Sequence, residues 1–102
     1  MDRKNIIILI YDAIEDYNSV VEKDMYLEKR EDTLLFDPMG KLDSMGYITM
    51  SAAIEREIEK KLGLTMVLFE GNSNYPVENP LKTVASTVDY LSWLLEHKKI
   101  AE

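Results

Sequence analysis

The sequence has no cysteine, so it can build neither a disulfide framework nor a thiolate metal site, and any thiol it uses must be borrowed. It has one histidine, His97, placed in the charged C-terminal turn of the last expected helix, so Ser44 has no histidine base nearby in sequence. Basic residues are in deficit, twelve against nineteen acidic ones, and the resulting charge of -7 would repel a phosphate backbone or an anionic lipid surface. Long apolar runs are missing too. Ile6 to Tyr11 is the longest, it ends at Asp12, and it is too short for a membrane span or a signal peptide, so the expected location is cytoplasmic. At 102 residues the chain has room for one domain, 1-102, which excludes a cofactor domain joined to a substrate domain.

What is present is enough apolar surface for a packed core: 46% of residues are hydrophobic and 30% charged. Ile6, Ile10, Ile14, Tyr17 and Val21 recur with a helical period, while Asp12, Glu15, Asp16, Ser19 and Glu22 take the other side. From Asp24 to Asp43 the period breaks into a charged stretch with the turn chemistry of Asp37-Pro38-Met39-Gly40, read as a long loop pinned by Leu35 and Phe36. Loops of that length in small domains are usually functional. A second helix opens at Asp43-Ser44, carries Met45, Ile48, Ala52, Ile58 and Leu62, and closes at Gly63, where a left-handed cap is wanted. Leu64 to Phe69 reads as extended, and the breakers between Gly71 and Pro80 leave room for one short helical turn. Thr83 can cap a last helix with Val84, Val88, Leu91 and Leu95 on its core face and Lys98 and Lys99 at its end. The expected fold is all-α, an up-and-down bundle of three main helices plus one short helix with a long first loop. Ile10, Ile14, Ile48, Ile58, Val84, Val88 and Leu91 should meet in its core.

The sharpest local feature is Leu42-Asp43-Ser44-Met45-Gly46, an acid and a hydroxyl side by side where the long loop enters a helix. A plain helix cap accounts for it, because aspartate and serine are both preferred at that position. One job with two candidates leaves one spare, however. If the Asp43 carboxylate accepts the amide of Met45 or Gly46, the Ser44 hydroxyl is free at a positive helix end, where a phosphate ester can be carried.

In this order of elements the chain resembles the acyl carrier protein family. The resemblance rests on the first amphipathic helix, the long loop, Leu42-Asp43-Ser44-Met45 opening the second helix, Ile54-Glu55 within it, a short irregular third element, and Thr83-Val84 opening the last helix. Glycine after the motif, as in Met45-Gly46, looks more like the D-alanyl and peptidyl carrier branches than the fatty acid branch. The resemblance implies that Ser44 bears a covalent 4'-phosphopantetheine arm, attached by a phosphopantetheinyl transferase with coenzyme A and magnesium. It also implies a monomeric carrier that is not itself an enzyme, and that meets an acyl- or aminoacyl-loading enzyme and downstream synthases or transferases. The family's second helix is usually acidic, whereas here Glu55, Glu57 and Glu59 are matched by Arg56, Lys60 and Lys61. Recognition is therefore expected at Asp43, Met45, Glu55 and the acidic first loop, Asp37 included, with a basic partner steered by the loop. Met50 and Met66 read as core filling, as do Tyr90 and Trp93.

Two rivals come from other classes. Asn5 to Asp12 could be the first strand of a phosphate-accepting receiver domain with Asp12 at its carboxyl end and Leu64 to Phe69 as another strand, although the chain is short for that fold. A serine hydrolase is weaker, since Leu42 stands where the nucleophile elbow wants glycine.

Overall fold

Three amphipathic segments become three helices, and each begins on a capping side chain. The computed structural model describes residues 2–68 and 75–101, the last five by backbone alone, and contains α1 (Arg3–Asn18), α2 (Ser44–Leu62) and α3 (Val84–Ala101). Asp2 opens α1 by accepting the Asn5 amide, and the helix buries Ile6, Leu9, Ile10, Ala13, Ile14 and Tyr17 on one stripe. This helix lies between the other two and packs against both. The receiver reading fails here, because residues 5–12 are helical; Asp12 stands on α1 and pairs with Lys61 Nζ of α2 at 2.8 Å. Among the described residues no strand forms, and the only extended pairing is the isolated bridge between Leu34 and Thr83.

α2 runs unbroken for 19 residues and ends where Gly63 adopts φ 67, a left-handed conformation that costs a glycine little. α3 opens with a reciprocal capping box: the Ser86 amide donates to Thr83 Oγ1 at 3.1 Å, and the Thr83 amide donates to Ser86 Oγ at 3.0 Å. Serine does here what glutamate does in the usual box.

The first loop is tied down at both ends. Asn18, at the end of α1, holds Leu27 by donating to its carbonyl at 3.0 Å and accepting its amide at 2.8 Å, imitating a strand partner. Further on, the amides of Leu35 and Phe36 donate to the carbonyls of Lys82 and Leu81, and those of Val84 and Ala85 donate back to Thr33 and Glu31. Those last two bonds supply acceptors for amides at the start of α3 that no helical carbonyl can reach. Leu35 and Phe36 are buried as the pinning residues of this loop.

Two expectations need correcting. The short helix is only a 3-10 turn, Lys23–Met25, and lies in the first loop; residues 63–68 and 75–83 contain no helix, and the remainder of the expected third element lies outside the described residues. Ile48 is not a core residue. It is 62% exposed, because the buried stripe of α2 is Gly46, Met50, Ala53, Ile54, Glu57 and Ile58, and two residues from Met50 is about 200° of helix rotation. Ala52 is exposed for the same reason, while Ile10, Ile14, Ile58, Val84, Val88, Leu91 and Met66 are buried as expected. Tyr90 is buried and Tyr75 packs against its ring and that of Trp93, with centroids 4.8 and 5.2 Å apart. Among the described residues no helix is long and apolar enough to cross a membrane.

Candidate functional site

The start of α2 is a junction of three chain segments. Leu42 is buried and anchors the end of the first loop, and Phe36 of that loop meets Tyr47 edge to face, ring centroids 5.3 Å apart. The Phe36 carbonyl in turn accepts Asn79 Nδ2 at 3.1 Å. From α1, Tyr17 lies within electrostatic reach: burial pushes its phenol above the usual range, and the Asp43 charge adds to that push.

Asp43 is the N-cap. Its backbone is extended, its carbonyl takes the Tyr47 amide at 2.8 Å and its Oδ1 takes the Gly46 amide at 2.8 Å. Of the two capping candidates, then, Asp43 is the one used. Ser44 occupies the first helical position, exposed, and its hydroxyl makes no hydrogen bond among the described residues. The amides of Ser44 and Met45 also lack an acceptor there, so two unpaired donors stand beside the free hydroxyl at the positive end of a 19-residue helix. The residues present fit a phosphate ester on Ser44. Such an ester would gain about 0.3–1 kcal/mol from the helix terminus at an exposed site, partly offset by repulsion from the Asp43 carboxylate. Among the described residues no base is hydrogen-bonded to Ser44; the side chain of His97, like those of Lys98 and Lys99, lies outside them.

Gly46 sits in a crowded spot. A Cβ there would lie 3.1 Å from Leu42 Cδ2 and 3.3 Å from both Leu42 Cβ and Asp43 Oδ1. The glycine after the motif lets the loop close against the first turn of α2.

The expected recognition residues separate into two groups. Asp43 and Met45 flank Ser44, and Met45, 68% exposed, starts an apolar stripe continued by Ile48 and Ala52. Sequence reading placed Ile48 of that stripe in the core and Met45 at the surface for partner contact. Asp37 and Glu55 are instead engaged within the molecule: Asp37 is 9% exposed and accepts the Met39 amide at 2.8 Å to shape its turn, while Glu55 Oε2 accepts the Leu68 amide at 2.8 Å and so pins the segment after α2. Most other loop acids are paired: Glu31 with Arg3 at 2.9 Å, and Asp32 and Glu28 with Arg30 at 2.9 and 3.4 Å. The loop is thus a weaker source of steering charge than its composition indicates. Glu57, expected on the solvated face, is 4% exposed and faces α1.

No family model matches this chain, and no curated protein or solved structure matches it either.

Proposed function

We propose that the protein is a discrete acyl or aminoacyl carrier whose Ser44 bears 4'-phosphopantetheine. The observation that carries this reading is the division of labour at the start of α2, where Asp43 caps the helix and leaves the Ser44 hydroxyl exposed with unpaired amides beside it. When attached, the arm supplies a thiol that holds an acyl group as a thioester, the chemistry that a chain without cysteine lacks. In the loading reaction Ser44 Oγ bonds to the pantetheine-bearing phosphorus of coenzyme A, adenosine 3',5'-bisphosphate leaves, and the serine proton passes to the transferase. The chain presents the hydroxyl and stabilises the phosphodiester; the separate transferase, with magnesium, provides the base.

Met45 and Ile48 favour this reading over a purely structural cap. They expose apolar surface one and four residues after Ser44, where a partner acting at that serine would lie. Partners of this class are the transferase, an acyl- or aminoacyl-loading enzyme and downstream synthases or transferases of fatty acid, polyketide or nonribosomal peptide type. The cytoplasm is the location we assign, and a monomer the state.

The test is the intact mass of the purified protein after incubation with coenzyme A, magnesium and a broad-specificity phosphopantetheinyl transferase. A gain of one phosphopantetheinyl group that vanishes in Ser44→Ala is the expected result. An unmodified wild type across several transferases, or a modified Ser44→Ala, overturns the assignment.

A further inference from the structure

The first loop folds back on itself where Lys41 Nζ donates to the Tyr26 carbonyl at 3.0 Å, and between the limbs so joined lies a cleft of about 360 Å³. That volume is in the range of small-molecule sites, roughly 300–1,000 Å³. Its apolar wall is formed by Tyr26, Leu27, Leu34 and Met39. Met39 is 84% exposed and Tyr26 is exposed as well, so two large apolar side chains line one concave surface that nothing among the described residues covers.

The cleft lies close to the modification site. Lys41 stands three positions before Ser44, which places their Cα atoms at most about 11 Å apart. Its polar rim has a definite chemistry. Arg30 is held by both oxygens of Asp32, at 3.0 and 2.9 Å, and Lys41 is held by the Tyr26 carbonyl, so both cations are engaged. Glu28 is the rim charge least committed, its Oε2 lying 3.4 Å from Arg30.

Resting on the assignment of Ser44 above, we propose that this cleft is the resting place of the acyl group carried from Ser44, and that it favours a short acyl group bearing an ammonium over a long alkyl chain. A short aminoacyl group lays its carbon atoms on Leu34 and Met39 and its ammonium beside Glu28. A long chain would have to run past Glu28, Arg30 and Asp32 and strip water from them without replacing it.

The test loads Ser44 from alanyl-, acetyl- and palmitoyl-coenzyme A through a promiscuous transferase, then measures hydroxylamine cleavage of each thioester in the folded protein and in the same protein unfolded in urea. Intact mass first establishes that Ser44 carries the arm. For the alanyl group the folded protein should be cleaved about tenfold more slowly than the unfolded one, an occupancy of about 10:1 or 1.4 kcal/mol. Glu28→Gln should reduce that protection for alanyl and leave acetyl unchanged, and Met39→Trp, at an exposed position where the fold tolerates it, should fill the cleft and abolish protection. Palmitoyl should show none. No mass gain overturns the Ser44 assignment and this proposal together. A mass gain with equal folded and unfolded rates, protection indifferent to both substitutions, or better protection of palmitoyl than of alanyl overturns the cleft alone.

Discussion

The Gly46 amide lies 2.8 Å from Asp43 Oδ1, and a Cβ on the same glycine would be tightly placed, 3.1 Å from Leu42 Cδ2. Cap and crowding act on one residue. Alanine normally stabilises a helix over glycine by about 1 kcal/mol. Here Gly46→Ala should instead lose about 1 kcal/mol, since either Leu42 or the capping carboxylate must yield. Urea denaturation checks this, and in a Leu42→Ala background, where the added methyl has space, the penalty should shrink. A full helix-propensity gain in Gly46→Ala alone would show that the loop gives way easily.

Removing the cap and removing the hydroxyl should have different consequences. Asp43→Ala should cost about 1 kcal/mol because the Gly46 amide loses its acceptor, whereas Ser44→Ala should change stability by less than about 0.5 kcal/mol. Paired denaturation curves measure both, and a comparable loss in Ser44→Ala would mean that the serine also serves the fold.

The two isoleucines of α2 should respond in opposite ways. Ile58→Ala should cost on the order of 2–5 kcal/mol, because the side chain is fully buried against the core. Ile48→Ala should stay within about 0.5 kcal/mol in stability and slow modification of Ser44 by the transferase. Chemical denaturation and loading rates together separate packing from docking.

Legibility in the sequence followed the range of the interaction. Asp43, Gly63 and Thr83 could be read as helix ends because capping is decided within four residues, and the stripe of α1 could be read because Ile6, Ile10, Ile14 and Tyr17 recur with a helical period. The phase of α2 could not, since two apolar stripes compete there, and the buried one includes a carboxylate that pattern reading assigns to water. Asp37 and Glu55 looked like surface charges, as their backbone partners are known only once the chain has folded around them. The pairing of residues 31–36 with 81–85 has no local signal at all.

Glu57 should make stability depend on pH. Its carboxyl is pushed above 4.5 by a hydrogen bond shared with Asp16 and by burial, while Lys60 and Lys61 pull the other way. Lys61 is 3.7 Å from Glu57 Oε1 but only 2.8 Å from Asp12, so its charge is mainly spent on the latter. The folded state therefore holds a proton that the unfolded state releases near 4.5, and this contribution is complete below 4.5 and is lost as pH rises through the folded value. Glu57→Gln should flatten that slope and raise stability at pH 7 by about 1 kcal/mol. Denaturation midpoints between pH 4 and 8 decide it.

Thr87 is fully buried in α3, and its Oγ1 has no hydrogen-bond partner among the described residues. Replacing that hydroxyl by a methyl of the same shape removes an unsatisfied group, so Thr87→Val should stabilise by about 1 kcal/mol. Thermal denaturation with a lowered midpoint would show that the hydroxyl is satisfied after all.

The bonds that join Thr33, Leu35 and Phe36 to the start of α3 close a circuit of about fifty residues that contains the whole of α2. Closing a loop of that length costs on the order of 3–4 kcal/mol of chain entropy beyond a constant. The clasp consists of four backbone bonds between the first loop and the approach to α3, so it can open locally while the helices stay packed. The amides of Leu35, Phe36, Val84 and Ala85 then form one exchange group, released together when the clasp opens, while those in the middle of α1 wait for global unfolding.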